Sequence, residues 1–373
     1  MMNELTEFKL AGYNTLRKKY ERVSKIALKL LDDTLRKNHT HPMQVTHRIK
    51  ATESIAGKLE RRPDKYTSAD QLMDILGIRI ICYFTDHVDQ VAFMLESILD
   101  IDWKNSSDKR EIIDPTAFGY LSLHYICSLP KDKGYPEDLT DLKFEIQIRT
   151  ILQHTWAEIE HDLGYKSEFS IPKDLRREFS RVAGLLEIAD ESFLRIRNSI
   201  TAYEANVREK IANDTADDMP LDLVSLRAYL ELSPSMKSLL DDIAAISDAI
   251  INEANPESFL PLLSFFNLHT LGDLKEFVEE GHDDALFFAK KALEGMFLEE
   301  LSSIVGLYYL CRSHLVRGDY NFRQLMVYFT LGEASEKRAK QHSEYILKLR
   351  KELEEQTDDQ PEKQDQDKQE PNA

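Results

Sequence analysis

The heptapeptide FEIQIRT, from Phe144 to Thr150, alternates polar and apolar side chains. Because successive side chains of a β-strand point to opposite faces of a sheet, Glu145, Gln147 and Arg149 share one face while the other is aliphatic. A carboxylate, an amide and a guanidinium in a row differ from an ordinary solvated face, which is usually richer in Lys and Thr. A carboxylate there can bind a divalent cation or accept a proton from a hydroxyl group. The stretch therefore predicts a strand with one face in the hydrophobic core and a polar face that takes part in binding or catalysis.

Strand and helix patterns alternate around this heptapeptide. The patterns predict strands at residues 44–50, 76–84, 120–129 and 142–150, and helices at residues 52–62, 86–100 and 151–164. An amphipathic helical pattern also fills much of the first forty residues. Strands interleaved with helices predict an α/β or α+β domain with a mixed sheet.

The pattern changes after Pro172, beyond which it is helical almost throughout, with Pro and Gly residues at the breaks. A long charged helix is predicted to about residue 213, and several helices follow it. No stretch of this half indicates catalysis. Residues 356–373 are polar, acidic and low in complexity, so they are predicted to form a disordered tail.

Composition and charge limit the class of protein. The 373 residues are 42% hydrophobic and 31% charged, which is typical of a chain with two or three buried cores. No apolar stretch approaches the roughly 20 residues of a membrane helix, and no apolar leader opens the chain, so a cytoplasmic protein is expected. The three cysteines lie at least 45 positions apart, which predicts neither a disulfide framework nor a paired zinc site.

The net charge of −18 disfavours sequence-independent binding of nucleic acid. Between Arg36 and Tyr66, however, eight basic residues stand against three acidic ones. A local cluster of cations in an acidic chain indicates a compact anionic ligand.

The basic cluster has a helical arrangement. Lys50 leads into the helix predicted at residues 52–62, in which Ser54, Lys58 and Arg61 or Arg62 share one face. The whole set is Arg48, Lys50, Ser54, Lys58 and Arg61. Cations and a hydroxyl group next to a helix N-terminus can hold a polyphosphate. A solvated basic face is the alternative.

Two charged residues interrupt the stretch DILGIRIICYF. Asp74 stands just before the apolar strand, and Arg79 lies within it. Burying an unpaired charge costs several kcal/mol, roughly, so each must have a partner. They either pair with each other or face a solvated edge, or Asp74 binds Mg²⁺ while Arg79 contacts phosphate or stacks on a base.

A third polar set follows in the stretch GYLSLHY. The two-residue period places Tyr120, Ser122 and His124 on one face of a strand. An aromatic ring can stack on a base, and an imidazole can bond a phosphate or ribose. An ordinary hydrogen-bonded histidine is the alternative.

Taken in order, RIKATESIAGKLERR, DILGIRI, GYLSLHY and EIQIRTILQHTWAEIEHDLGYKS resemble the RelA/SpoT nucleotidyltransferase domain in its small alarmone synthetase form. The resemblance covers about residues 40 to 170. It implies an α+β fold with a polymerase-β-like mixed sheet flanked by helices, followed here by an all-α C-terminal region. It also implies Mg²⁺-dependent transfer of pyrophosphate from ATP to the 3′-hydroxyl of GDP or GTP, which gives (p)ppGpp.

The resemblance assigns a role to each polar position. Asp74 and Glu145 become the catalytic metal ligands, and Glu145 also deprotonates the acceptor hydroxyl. The donor ATP is assigned to Arg48, Lys50, Ser54, Lys58, Arg61 and Arg79. The acceptor is assigned to Tyr120, Ser122, His124, Gln147 and Arg149.

The organisation that follows has five segments: N-terminal helices at 1–43, a RelA/SpoT-like synthetase domain at 44–170, a connecting helix at 171–215, an all-α regulatory or partner-binding domain at 216–355, and a tail at 356–373. Two other functions stay open. One is a toxic relative that pyrophosphorylates the tRNA 3′-CCA end, with the C-terminal half as antitoxin or sensor. The other is a non-catalytic nucleotide-binding adaptor whose C-terminal helices hold a protein partner. A homo-oligomer is compatible with every one of these functions.

Overall fold

The computed structural model describes residues 10, 12–61, 64–108, 122–163 and 173–358. The chain divides into two compact units, Met1–Asn198 and Ser199–Ala373. Each unit has a hydrophobic core of its own. The finer division into five segments stays a prediction.

The first unit is built on a mixed sheet. Its helices are α1 Tyr13–Lys37, α2 Thr52–Arg61, α3 Thr85–Ile98, α4 Glu137–Thr140, α5 Ile151–Asp162 and the first part of α6 Lys173–Ala212. Its strands are β1 Gln44–Ile49, β2 Leu76–Cys82, β3 Asp100–Ile101, β4 Ser107–Asp108, β5 Leu123–Ser128 and β6 Phe144–Thr150. The strand order is β1-β2-β6-β5-β3, and β4 pairs with β5. The β2–β6 pair is parallel and the other pairs are antiparallel, so the predicted mixed sheet is confirmed.

One face of the sheet is closed by helices. Ile78, Ile80, Ile146 and Ile148 on the central strands are at most 1% exposed. They pack in one cluster with apolar residues of α1, α2 and α3. Tyr20 of α1 is buried in this cluster and donates its hydroxyl to the Lys143 carbonyl oxygen at 2.9 Å. Burial of one face leaves the alternate residues of the central strands on the other face.

The second unit is helical apart from one pair of short strands. It contains the rest of α6, then α7 Leu223–Leu232, α8 Pro234–Ser247, α9 Leu260–Phe265, α10 Leu271–Leu293, α11 Val305–Arg317, α12 Phe322–Leu331 and α13 Glu336–Asp358. The strands β7 Ile250–Asn252 and β8 Glu300–Ser302 form a parallel pair. The helical C-terminal region is thus confirmed, and this strand pair is an addition to it.

Some predicted bounds differ from the observed ones. The strand predicted at 76–84 ends at Cys82, because α3 begins at Thr85. Of the strand predicted at 120–129, residues 120 and 121 lie outside the described part of the chain. Helix α13 continues to Asp358, and the remainder of the predicted tail lies outside the described residues. Among the residues described, no helix has both the length and the apolar composition of a membrane span.

Candidate active site

Strand register brings the predicted polar residues to one face of the sheet. In one row across the strands, Gly77 of β2 stands between Arg48 of β1 and Glu145 of β6. In the next row, Arg79, Gln147 and His124 are neighbours. Residues directly opposite each other on paired strands project to the same side. The polar face of the sheet thus contains residues from all four stretches that carried the resemblance.

Asp74 binds two lysines at the entrance to β2. Lys50, just after β1, donates from Nζ to Asp74 Oδ2 at 2.5 Å, and Lys58 of α2 donates to the same oxygen at 2.6 Å. Burial alone would raise the pKa of Asp74, but the two lysine hydrogen bonds outweigh burial and lower it. The other oxygen, Oδ1, is buried and has no hydrogen-bond partner among the residues that the structure describes. Asp74 is therefore an ionised carboxylate with one coordinating oxygen unused.

Glu145 lies at the centre of a hydrogen-bonded chain of polar side chains. His124 Nδ1 is 2.9 Å from Glu145 Oε1, and Ser122 Oγ is 2.7 Å from His124 Nε2. Gln147 donates from Nε2 to Glu145 Oε2 at 3.0 Å, and its own Oε1 accepts from Arg149 Nη2. With the proton on Nδ1, His124 donates to Glu145 and accepts from Ser122, so one neutral tautomer satisfies both contacts.

The charge of Asp74 also acts on Glu145. Burial would raise the pKa of Glu145, but the hydrogen bonds from His124 and Gln147 lower it below the ordinary value. The negative charge of Asp74 acts against this lowering, so Asp74 lies within electrostatic reach. A divalent cation close to both carboxylates would offset this repulsion.

A second cluster lies where β6 passes into α5. Arg79 donates from Nη1 to Glu158 Oε1 at 2.7 Å. Arg149 is buried, and burial together with the charge of Arg79 lowers its pKa to about 10. Its Nε and the Nδ1 of His154 are buried and have no hydrogen-bond partner within the described ranges. Unsatisfied donors and acceptors at one place indicate a ligand or water that completes them.

His154 and Glu158 were not among the residues predicted for the site. They lie four positions apart on α5, directly after FEIQIRT, and positions i and i+4 share a helix face. That spacing is the only signal that the sequence offers, and it is common on ordinary helices. Their importance depends on the approach of α5 to β2, which a one-dimensional pattern does not show.

The other predicted residues have less definite surroundings. Arg48 is exposed at the β1 end of the polar face, and Ser54 and Arg61 are exposed on α2. Tyr120 lies outside the described residues. Asp74 and Arg79 have different partners, because Asp74 binds the two lysines and Arg79 binds Glu158. Lys50 and Lys58 are likewise not a freely solvated basic face.

The donor set suits a metal that is only partly held by protein. Within the described ranges, no group of three or more His, Cys, Asp or Glu side chains could hold a metal ion. The free Oδ1 of Asp74 and the nearby carboxylate of Glu145 offer two oxygen sources. Mg²⁺ commonly binds one or two carboxylates and takes its other ligands from water and substrate phosphates. The residues present therefore fit Mg²⁺ that arrives with a nucleotide.

Comparison with known proteins gives a consistent assignment. A protein-family model described as a region found in RelA / SpoT proteins matches residues 47–170. The GTP pyrophosphokinase YwaC of Bacillus subtilis is 34% identical over 167 residues, which are 43% of this chain and 78% of that protein. The GTP pyrophosphokinase YjbM of the same organism is 31% identical over 44% of this chain and 77% of that protein. A crystal structure of the small alarmone synthetase 2 from Bacillus subtilis has 30% identity and a TM-score of 0.42, covering 50% of this chain and 98% of that one. Because two curated relatives are matched over most of their own length, the chain belongs to the RelA/SpoT family.

Proposed function

We propose that this protein transfers the β,γ-pyrophosphoryl group of ATP to the 3′-hydroxyl of GDP or GTP, which yields (p)ppGpp and AMP. Two relatives at 34% and 31% identity are GTP pyrophosphokinases. The observation that carries the proposal is Glu145 on the polar sheet face, held by His124 and Gln147 and within electrostatic reach of Asp74, which binds Lys50 and Lys58. Such a face suits phosphoryl chemistry, in which catalysis is mainly positioning and charge stabilisation.

The two lysines bind the donor nucleotide in this proposal. An ammonium group has three N–H donors, and Lys50 and Lys58 each direct one to Asp74. The remaining donors can bind the phosphate oxygens of ATP, while Asp74 holds the two cations close together. Arg48 on the same face supplies a further positive charge for the leaving AMP.

The acceptor side falls to Glu145. Its lowered pKa keeps the carboxylate ionised at neutral pH, so it can accept the proton of the 3′-hydroxyl. The 3′-oxygen then bonds to the β-phosphorus, the bond from that phosphorus to the α,β-bridging oxygen breaks, and AMP leaves with the electron pair. His124 and Gln147 fix the orientation of Glu145 during this step.

The proposed cofactor is Mg²⁺, held by Asp74 and Glu145. When bound, it would neutralise phosphate charge and act as a Lewis acid toward the transferred group. Arg79, which pairs with Glu158, is assigned to the adenine, and the buried Arg149, which donates to Gln147, is assigned to the acceptor phosphates.

The test is a transfer assay with γ-labelled ATP and three acceptors, namely GDP, GTP and bulk tRNA. We expect label on GDP or GTP, and a loss of roughly a hundredfold or more in Asp74→Asn and Glu145→Gln, the range for a lost acid–base group. The matched control is Asp141→Asn, because Asp141 also pairs with a lysine, Lys131, but is exposed. Label on tRNA would support the tRNA-modifying alternative, and no label on any acceptor would support the adaptor. Unchanged transfer in both site variants would contradict the mechanism.

A further inference from the structure

The C-terminal unit contains a cavity of about 280 Å³ between α9, α11, α12 and α13. Its apolar wall is formed by Phe259, Leu262, Leu315 and Tyr328, all of which are buried. Buried side chains of this kind keep a fixed shape, since protein cores are close-packed. The cavity is therefore a preformed apolar space in a unit for which the proposed function gives no role.

One cation faces this apolar space. Arg312 of α11 donates from Nη1 to the Tyr308 hydroxyl at 2.6 Å. Its guanidinium carbon lies 5.7 Å from the ring centre of Tyr308 and 4.8 Å from that of Tyr345 on α13. Two aromatic rings thus hold the guanidinium in place, and most of its five N–H donors stay available.

The charge of Arg312 lacks a counter-ion. Among the residues that the structure describes, no carboxylate forms an ion pair with it. No Asp or Glu of the described part of the chain lines the cavity. A fixed guanidinium without an acidic partner is suited to bidentate binding of a carboxylate. The same lack of acidic groups disfavours ligands that carry an ammonium group.

The rings around the cavity indicate what else the ligand contains. Phe329 and His342 stand at the wall with ring centres 5.2 Å apart and planes inclined by 33°. Such surfaces favour offset stacking with another flat ring. An engineered cavity of about 150 Å³ holds one benzene ring, so 280 Å³ accommodates one or two rings with a short acidic arm. A nucleoside polyphosphate needs several cations and more volume.

We propose that this cavity is a binding site for a small aromatic monocarboxylate. The ring fills the space between Leu262, Tyr328 and Phe329, and the carboxylate binds the guanidinium of Arg312. This inference rests on the C-terminal unit alone and is independent of the transferase proposal.

The first experiment uses the full chain and three small probes in isothermal titration calorimetry. Indole-3-acetate supplies the ring and the charge, indole-3-acetamide keeps the ring without the charge, and hexanoate keeps the charge without a ring. We expect saturable binding of the acid. The amide should bind at least about tenfold more weakly, since a hydrogen bond to a charged group contributes about a factor of ten in affinity. Hexanoate is expected to be weaker than the aromatic acid as well.

The second experiment changes the cation. Arg312→Met keeps an unbranched, flexible side chain and removes the guanidinium and its charge, and we expect the affinity for indole-3-acetate to fall about tenfold. The matched control is Arg317→Met on the same helix, because Arg317 pairs with Asp284 and does not line the cavity. Thermal unfolding of each variant reports whether it is folded.

Three results would overturn the proposal. They are equal affinity for the acid and the amide, retained affinity in folded Arg312→Met, and no saturable binding of any probe. The comparison of acid and amide needs only the unaltered protein, so it decides the matter even if a variant is unstable. Equal binding of hexanoate would refute the aromatic part.

Discussion

A single carboxylate oxygen accepts hydrogen bonds from two ammonium groups at Asp74, and this gives the residue a measurable pH signature. Its folded-state pKa lies below the ordinary 3.8, so the pairing stabilises the fold fully above that pH and is lost as pH falls through the folded pKa. We expect Asp74→Asn to lower the free energy of unfolding at neutral pH, and the difference from the natural protein to shrink below pH 3.8. Urea unfolding of both proteins at a series of pH values measures this difference in the free energy of unfolding. A difference that persists unchanged into acid would contradict a lowered pKa.

His124 gives a kinetic prediction at the same scale. Its hydrogen bond helps to lower the pKa of Glu145, so removing it in His124→Ala moves that pKa up toward the ordinary 4.5. Because the ionised form of Glu145 is the base, the acid limb of the kcat/KM profile should move to higher pH.

The matched variant is His124→Asn, whose side-chain amide can still donate from near the position of Nδ1. It should keep the acid limb closer to that of the natural protein. If the limb stays in place in both variants, Glu145 is not the titrating base. Circular dichroism across the same pH range would separate loss of activity from loss of fold.

The same residues show how far the sequence predicts a site. Alternation along FEIQIRT was enough to predict that Glu145, Gln147 and Arg149 share a face, because the period of a strand fixes this locally. The partner of Asp74 was not predictable in this way, since Lys50 and Lys58 reach it only after β1, β2 and α2 have packed together. Glu158 reaches Arg79 by a similar long-range approach.

Strand β2 has an open position on its polar face, at which a substitution should change activity without lowering stability. Gly77 stands between Arg48 and Glu145, and a Cβ atom added to it would meet no atom within 4 Å. A valine there suits the strand and should leave stability equal or raise it by up to about 1 kcal/mol. Its methyl groups would occupy the space above the polar face, so we expect pyrophosphate transfer to fall at least about tenfold, a loss of roughly 1.4 kcal/mol.

The control for this change lies on the other face of the same strand. Ile78 is 1% exposed and belongs to the core. Ile78→Val should cost about 0.5–1.5 kcal/mol of stability and leave transfer nearly unchanged. Gly77→Val should therefore lose more transfer activity than Ile78→Val, whereas Ile78→Val should lose more stability in thermal unfolding. Full activity in Gly77→Val would show that substrates do not use this space.

Elements with a long periodic pattern were predictable, and short ones were not. The strand at β6 and the helices α2, α3 and α5 have enough residues for a period to appear. Strands β3 and β4 have two residues each, and two residues define no period. They are strands only because β5 lies beside them, so their hydrogen bonds depend on tertiary structure. The short pair β7 and β8 has the same explanation.

At the scale of the molecule, the buried hydrophobic residues of the described ranges form two main cores that share no member. One core contains the sheet and α1 to α3, and the other contains the end of α6 and the helices from α7 onward. The change from strand and helix patterns to helical patterns alone predicted two kinds of structure. It did not predict the strand order, because the sequence gives the face of each strand but not its neighbours.

Separate cores predict separate stabilities. Ile80 in the first unit and Leu310 in the second are both 0% exposed, so alanine at either position leaves a cavity and costs about 2–5 kcal/mol. We expect Ile80→Ala to weaken amide protection in the sheet only, and Leu310→Ala to weaken it in the C-terminal helices only. Hydrogen exchange followed by mass spectrometry measures both units in one sample, and each variant serves as the control for the other. Loss of protection in both units from either single change would show that the two cores unfold together, against the expectation from their composition.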